Sequence, residues 1–262
     1  MDRHRHLKPM ARRRFYAPPI AFSDDRKSVT LSAEEARHLR DVLRLRAGDE
    51  AYVFDGEGRE FRAVIRDVAR ESSSLKIANE VDAPAPESPL NLTLAVALLK
   101  GEKFDVVVQK ATELGVQAVV PIITSRADVR IHNPEDAQRK QTRWQRIALE
   151  ATKQCGRAKL MKIEAPTSFE ALIARTANPD AETRIMFSER EGMLFADAVE
   201  SNQQPSTIIA IVGAEGGWSD EEINQARSGD WKIVTLGGRI LRAETAAITV
   251  AALLQHRFGD LK

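Results

Sequence analysis

The stretch TIIAIVGAEGGWSDEEI, Thr207–Ile223, decides how the chain is read. An apolar run ends at Val212, Gly213, Gly216 and Gly217 follow within five residues, and a helix is expected to begin near Ser219. A continuous apolar strand that turns through glycines into a helix is the repeating unit of a parallel sheet buried on both faces. Glycine-rich turns of this kind usually cradle phosphate. This one carries a carboxylate, Glu215, among its glycines.

Outward from that stretch the alternation continues. LNLTLAVALL reads as a buried strand and EKFDVVVQKATEL as a helix with Phe104, Val107, Val108, Ala111 and Leu114 on one face, stopped at Gly115. VQAVVPII is the next strand, and a long helix is expected from about Pro134 to Gln154. A helix near 168–175, the strands TRIMFS and WKIVTL, and a last helix from about Ala243 to Arg257 complete an α/β pattern. The front of the chain differs. VTLSAEEARHLRDVLRLR reads as a strand and a capped helix whose apolar face is Ala36, Leu39, Val42 and Leu43. Residues 48–81 alternate in short antiparallel segments that suggest a barrel, and DAPAPESP, with three prolines in eight residues, reads as a linker. Two domains are expected, 1–82 and 83–262.

Composition narrows the class. With 262 residues, 43% hydrophobic and 29% charged, the chain has the profile of a globular protein. Its longest near-apolar run, AAITVAALL, is nine residues, against roughly 20 for a bilayer span, so no membrane partner is expected. Cys155 is alone, which excludes an internal disulfide and a cysteine-cluster metal site and suits a reducing cytoplasm. Residues 1–46 hold twelve Lys/Arg against six Asp/Glu, leaving 27 against 32 for the remainder. That asymmetry, with RRRFY placing aromatics beside arginines, suits contact with a polyanion such as RNA.

In open α/β sheets, ligands sit where strands lead into helices at their carboxyl ends. Two loops occupy that position, VGAEGGWS (212–219) and LGGRILRAET (236–245). Neither fits a phosphate-loop or dinucleotide fingerprint. A phosphate beside Glu215 would meet repulsion of about 4 kcal/mol at an effective dielectric near 20. The loops better suit a ligand that is neutral or cationic where it touches protein, and S-adenosylmethionine has adenine, ribose and a sulfonium but no phosphate. Glu215 can equally serve only to organise its turn.

IVGAEGGWSDEEI and LGGRILRAETAAITVAALLQHRFGD resemble the two cofactor-loop motifs of the bacterial 16S ribosomal RNA uracil-N3 methyltransferases, the RsmE family of the SPOUT superfamily. The likeness extends to ALLKGEKFDVVVQKATELGVQAVVPIITSRADVR, RWQRIALEATKQCGR, RHLRDVLRLRAGDE and RRRFY, in the family's order. Ala214, Gly238 and Ala243 stand where the family commonly has proline, proline and threonine. The resemblance implies an α/β SPOUT-type parallel sheet with a C-terminal trefoil knot, a small N-terminal PUA-like β-barrel that binds RNA, and a homodimer. It implies S-adenosylmethionine as cofactor and 16S ribosomal RNA, or the small ribosomal subunit, as partner.

For that reaction Arg242 is the candidate for stabilising a developing uracil anion, and Glu215 the weaker candidate for the base. Gly213, Glu215, Gly216, Leu236, Gly237, Ile240, Leu241, Glu244 and Thr245 are the cofactor-binding candidates. Arg12, Arg13, Arg14, Arg40, Arg44, Lys100, Lys103 and Arg157 are the RNA-binding candidates. Arg242 suits an RNA-phosphate or structural ion-pair role as well, and Lys100 and Lys103 suit solvated helix-start charges. Gln154 and Arg157 suit satisfying helix-end carbonyls, and Trp144 suits a core or an interface. No metal site is expected. The competing readings are a ribose 2′-O-methyltransferase of the same superfamily and a non-catalytic RNA-binding member.

Overall fold

A computed structural model describes residues 12–175, 182–199 and 204–262. The chain divides into two units. The first ends at Glu87 and also takes Lys153–Leu160; the second comprises Ser88–Thr152 and Met161–Lys262. The change of unit falls between Glu87 and Ser88, inside DAPAPESP, and a later segment returns to the first.

The first unit contains β1 (Arg14–Tyr16), β2 (Ser28–Leu31), α1 (Ala33–Arg37), β3 (Glu50–Phe54), β4 (Glu60–Val68) and β5 (Ser73–Val81). Its sheet runs β1-β3-β4-β5-β2, antiparallel except that β1 and β3 are parallel. Two register shifts in the β4–β5 ladder, at Arg62/Ala63 and Ile65/Asp67, bend it. The result is a curled sheet with edges at β1 and β2, where the sequence suggested a barrel of antiparallel strands. Phe15, Leu31, Leu39, Val53, Ile65 and Leu75 fill its core.

Two sequence expectations change here. RRRFY supplies β1, and Arg14 points inward: its side chain is buried, donates to Glu60 through Nε (3.1 Å) and Nη2 (2.8 Å), and reaches the carbonyls of Lys153 (3.0 Å) and Arg157 (2.7 Å). The apolar face read for residues 36–43 is also broken. Ala36 and Leu39 are buried, but the chain widens into a π-turn at His38–Val42, with Leu43 N–H bonded to His38 O at 3.0 Å. The wider turn rotates Val42 outward, leaving it 68% exposed, and Leu45 takes the inner position.

The second unit contains β6 (Asn91–Ala97), α2 (Lys103–Glu113), β7 (Ala118–Ile123), α3 (Pro134–Cys155, whose last turn belongs to the first unit), β8 (Lys162–Ile163), β9 (Thr167–Ser168) and α4 (Phe169–Ile173). Then come β10 (Glu182–Phe187), β11 (Met193–Leu194), α5 (Phe195–Val199), β12 (Thr207–Val212), α6 (Asp220–Ser228), β13 (Lys232–Thr235) and α7 (Ala243–Phe258). The sheet order is β11-β13-β10-β12-β6-β7-β8, with β9 also on β7, and every ladder is parallel.

Because side chains alternate along a strand, β6 feeds two cores. Leu92, Leu94 and Val96 pack with Phe104 and Val107 of α2, Trp144 of α3, and Val250 and Leu254 of α7. Ala95 and Ala97 face the other way, where the small side chains are complemented by Phe169, Trp218 and Trp231. Both faces of the sheet are thus covered, which is why its strands read as continuous apolar runs. Trp144 is a core residue, stacked on Phe104 at 4.3 Å and donating its indole N–H to Asp105. Among the described residues no helix is long and apolar enough to cross a membrane.

Candidate functional site

β12 and β13 are both neighbours of β10, so their carboxyl ends deliver the two glycine loops to one place. Between the loops lies a cavity of about 420 Å³, within the usual range for small-molecule sites. Gly213, Glu215, Gly216, Leu236, Gly237, Ile240, Leu241 and Arg242 all line it. Glu244 and Thr245 fall on the first turn of α7, outside the lining. The end of β10 and the residues after it, Phe187, Ser188 and Glu189, form a further wall that sequence reasoning missed, together with Gly217, Arg239 and Ala246. A signal for that wall existed: TRIMFSER is also a strand running into polar residues at its carboxyl end.

The first loop is anchored. Trp218 is fully buried and donates its indole N–H to Phe187 O at 2.8 Å. A Cβ on Gly213 would sit 3.0 Å from that indole, so only glycine lets the loop close over the ring. Gly217 has φ +66, and a Cβ there would lie 2.2 Å from Glu189 Oε1. Beyond the loop, Ser219 and Glu222 form a capping box on α6, and Glu222 also accepts from Ser125 N–H at 2.8 Å.

Glu215 has a partner. Lys103 Nζ donates to its Oε1 at 2.8 Å and lies 3.6 Å from Glu244 Oε2. Partial burial works to raise the Glu215 carboxyl. The bond from Lys103, the loop's own backbone N–H and the charges of Lys103 and Lys100 outweigh it, and the group sits below the ordinary glutamate value. The bond to Glu215 correspondingly raises Lys103. A lowered carboxyl is a poorer proton acceptor.

The second loop is open. Gly237, at φ +99, and Gly238 have no atom within 4 Å of where a Cβ would stand, and Ile240 is 86% exposed. Arg239 and Arg242 line the cavity with exposed side chains, and no carboxylate among the described residues lies within ion-pairing distance of either.

The RNA candidates separate into three kinds. Arg14 and Arg157 are buried, Arg157 against Glu87 at 2.7 Å, so neither guanidinium is presented to a partner. Arg12 pairs with Glu60 (3.1 Å) over the Tyr52 ring, Arg40 with Asp41 (2.7 Å), and Lys100 with Asp128 (2.7 Å). Arg13 and Arg44 are exposed; Arg44 sits at φ +54 beside a shallow concavity that Arg40 and Arg46 also line. The remaining basic residues at the front of the chain, residues 1–11, lie outside the described residues.

The fold and this site are those of an RNA methyltransferase. Residues 86–255 match the RNA methyltransferase domain family, and residues 31–78 match the RNA methyltransferase PUA domain. The ribosomal RNA small subunit methyltransferase E of Synechocystis is 35% identical over 86% of this chain and 72% of its own, and that of Rickettsia conorii 31% identical over 88% and 90%. A solved structure of the Neisseria gonorrhoeae ribosomal RNA small subunit methyltransferase E, bound to S-adenosyl methionine, superposes with a TM-score of 0.84 at 32% identity, over 96% of this chain and all of that one. The chain belongs to the ribosomal RNA small subunit methyltransferase E family.

Proposed function

We propose that the protein methylates N3 of a uridine in small-subunit ribosomal RNA, with S-adenosylmethionine as methyl donor. One observation carries this reading: a two-loop cavity in which the Glu215 carboxylate is paired with Lys103, while Arg239 and Arg242 pair with no carboxylate among the described residues. The cofactor fits the lining on a structural ground. At Gly237 the backbone is left-handed and bare, so a planar base can lie directly against it. The apolar walls at Leu236, Leu241 and Ala246 suit an adenosine, and there is no phosphate for Glu215 to repel. When bound, the cofactor supplies a methyl group made electrophilic by its sulfonium.

The chain's own residues have two tasks. The loops fix the donor, so that the acceptor nitrogen can approach along the axis of the breaking bond. The imide nitrogen attacks well only after its proton passes to solvent water, and the Arg242 guanidinium at the start of α7 is placed to stabilise the negative charge that develops on the uracil. Glu215, with its carboxyl lowered and held by Lys103, serves the loop's geometry and the cofactor rather than proton removal. The uridine must leave its stack to reach the cavity. Arg13, Arg40 and Arg44 of the first unit contact the RNA backbone.

The SPOUT-type trefoil knot, the homodimer and the cytoplasmic location are part of the same reading. They are supported by membership of this family. The test is nucleoside mass spectrometry of small subunits from cells lacking the protein, before and after incubation with purified protein and the cofactor. 3-Methyluridine is the expected product. A ribose 2′-O-methyl product would replace N3 with the ribose, and RNA binding without any methyl transfer would make this a non-catalytic RNA-binding protein.

A further inference from the structure

We infer that Lys103 is a positioning residue for the cofactor cavity: its ammonium clasps Glu215 of the first loop and Glu244 at the root of the second, and holds the cavity's mouth in shape. This rests on the functional reading above and deepens it.

Three observations lead there. Lys103 is the first residue of α2, where the helix end already carries partial positive charge and a cation is disfavoured. A lysine in that place is compensated by a hydrogen bond to Glu215 Oε1 at 2.8 Å and by an ion-pair contact with Glu244 Oε2 at 3.6 Å. Second, Glu244 Oε2 is buried and takes no hydrogen bond, so the nearby ammonium offsets its charge. Third, the two carboxylates come from the two elements that carry the cavity's loops, Glu215 from the loop after β12, which lines the cavity, and Glu244 from the first turn of the helix that the second loop enters. Without the cation between them they would repel, and the two loops would part.

The arrangement also explains the carboxylate among the glycines. Glu215 lies where a free negative charge would dominate the cavity, yet its charge is spent on fastening the first loop to α2. The cavity then meets its ligand with apolar walls and with Arg239 and Arg242, which pair with no carboxylate among the described residues, and the clasp sets the spacing between the two loops.

Calorimetric titration of S-adenosylmethionine into the purified full chain tests this. Lys103→Met should weaken cofactor binding about three- to fivefold, the scale of a partly exposed ion pair, and Lys103→Arg should recover most of the loss. Lys103→Met combined with Glu215→Gln should bind more tightly than Lys103→Met alone, because the repulsion is gone. Lys103→Gln, which keeps a polar side chain, replaces the methionine variant if that one fails to fold. Equal cofactor affinity in the lysine variants, with a shallower salt dependence of RNA binding instead, would make Lys103 an RNA contact and overturn the clasp. No heat from the unmodified protein would overturn the cofactor reading itself, which separates the two failures.

Discussion

The two loops both lead from a strand into a helix through glycines, yet they have opposite mechanical character. Residues 212–219 are fastened at several points: Trp218 into the core and onto Phe187 O, Gly217 N–H onto Ala214 O, Arg126 onto Gly216 O, and Glu215 onto Lys103. Residues 236–242 have exposed glycines with empty space above them and an isoleucine almost wholly in solvent. One wall of the cavity is fastened to the rest of its unit, and the other presents bare backbone to solvent. In the first loop glycine lets protein approach protein; in the second it leaves the backbone open to solvent.

The contrast is broken most strongly at Trp218. Trp218→Ala removes a fully buried indole and its hydrogen bond, and should cost about 3–5 kcal/mol in denaturant unfolding. A cost under about 1 kcal/mol would mean that the first loop is not the fixed wall. Next is Arg242→Ala. Because the side chain is exposed and pairs with no carboxylate among the described residues, stability should hold within about 0.5 kcal/mol, while single-turnover methylation falls on the order of 100-fold. An undiminished rate would move anion stabilisation to another group.

The smallest effect sharpens the comparison directly. Gly217→Ala forces a side chain into a left-handed position against Glu189 and should destabilise by about 1–3 kcal/mol. Gly238→Ala meets no neighbour at an ordinary φ and should be neutral, or stabilising by about 0.4–1 kcal/mol through the unfolded state. Paired thermal melts of the two variants read the difference, and equal shifts would remove the distinction between the loops.

Much of this was legible in the sequence because it depends on short-range pattern. Uninterrupted apolar strands, Gly115 and Gly156 after their helices, and the glycine loops all announce themselves locally, and α7 begins at Ala243 where its apolar run starts. What escaped depends on neighbours distant along the chain. Phe187, Ser188 and Glu189 join the cavity only because β10 lies between β12 and β13, an order that no local signal carries. The arginines of RRRFY read as a cluster that meets a polyanion until Glu60 and two carbonyls are placed around Arg14. Val42 and Leu43 fit a helical face by period, and one widened turn at His38 undoes it. The pairing of Lys103 with Glu215 spans 112 residues, so the question that Glu215 raised could be posed from sequence but not answered there.

The return of Lys153–Leu160 to the first unit has a consequence for biosynthesis. The Arg14 guanidinium draws carbonyl partners from Lys153 and Arg157, and Glu35 draws the ammonium of Lys153. These partners leave the ribosome well over a hundred residues after the groups they satisfy. The amino-terminal portion, though translated first, is completed only when residues 153–160 have emerged, and a fragment cut at residue 87 would keep Arg14 on Glu60 but lose the carbonyls of Lys153 and Arg157 and the ammonium that Glu35 holds.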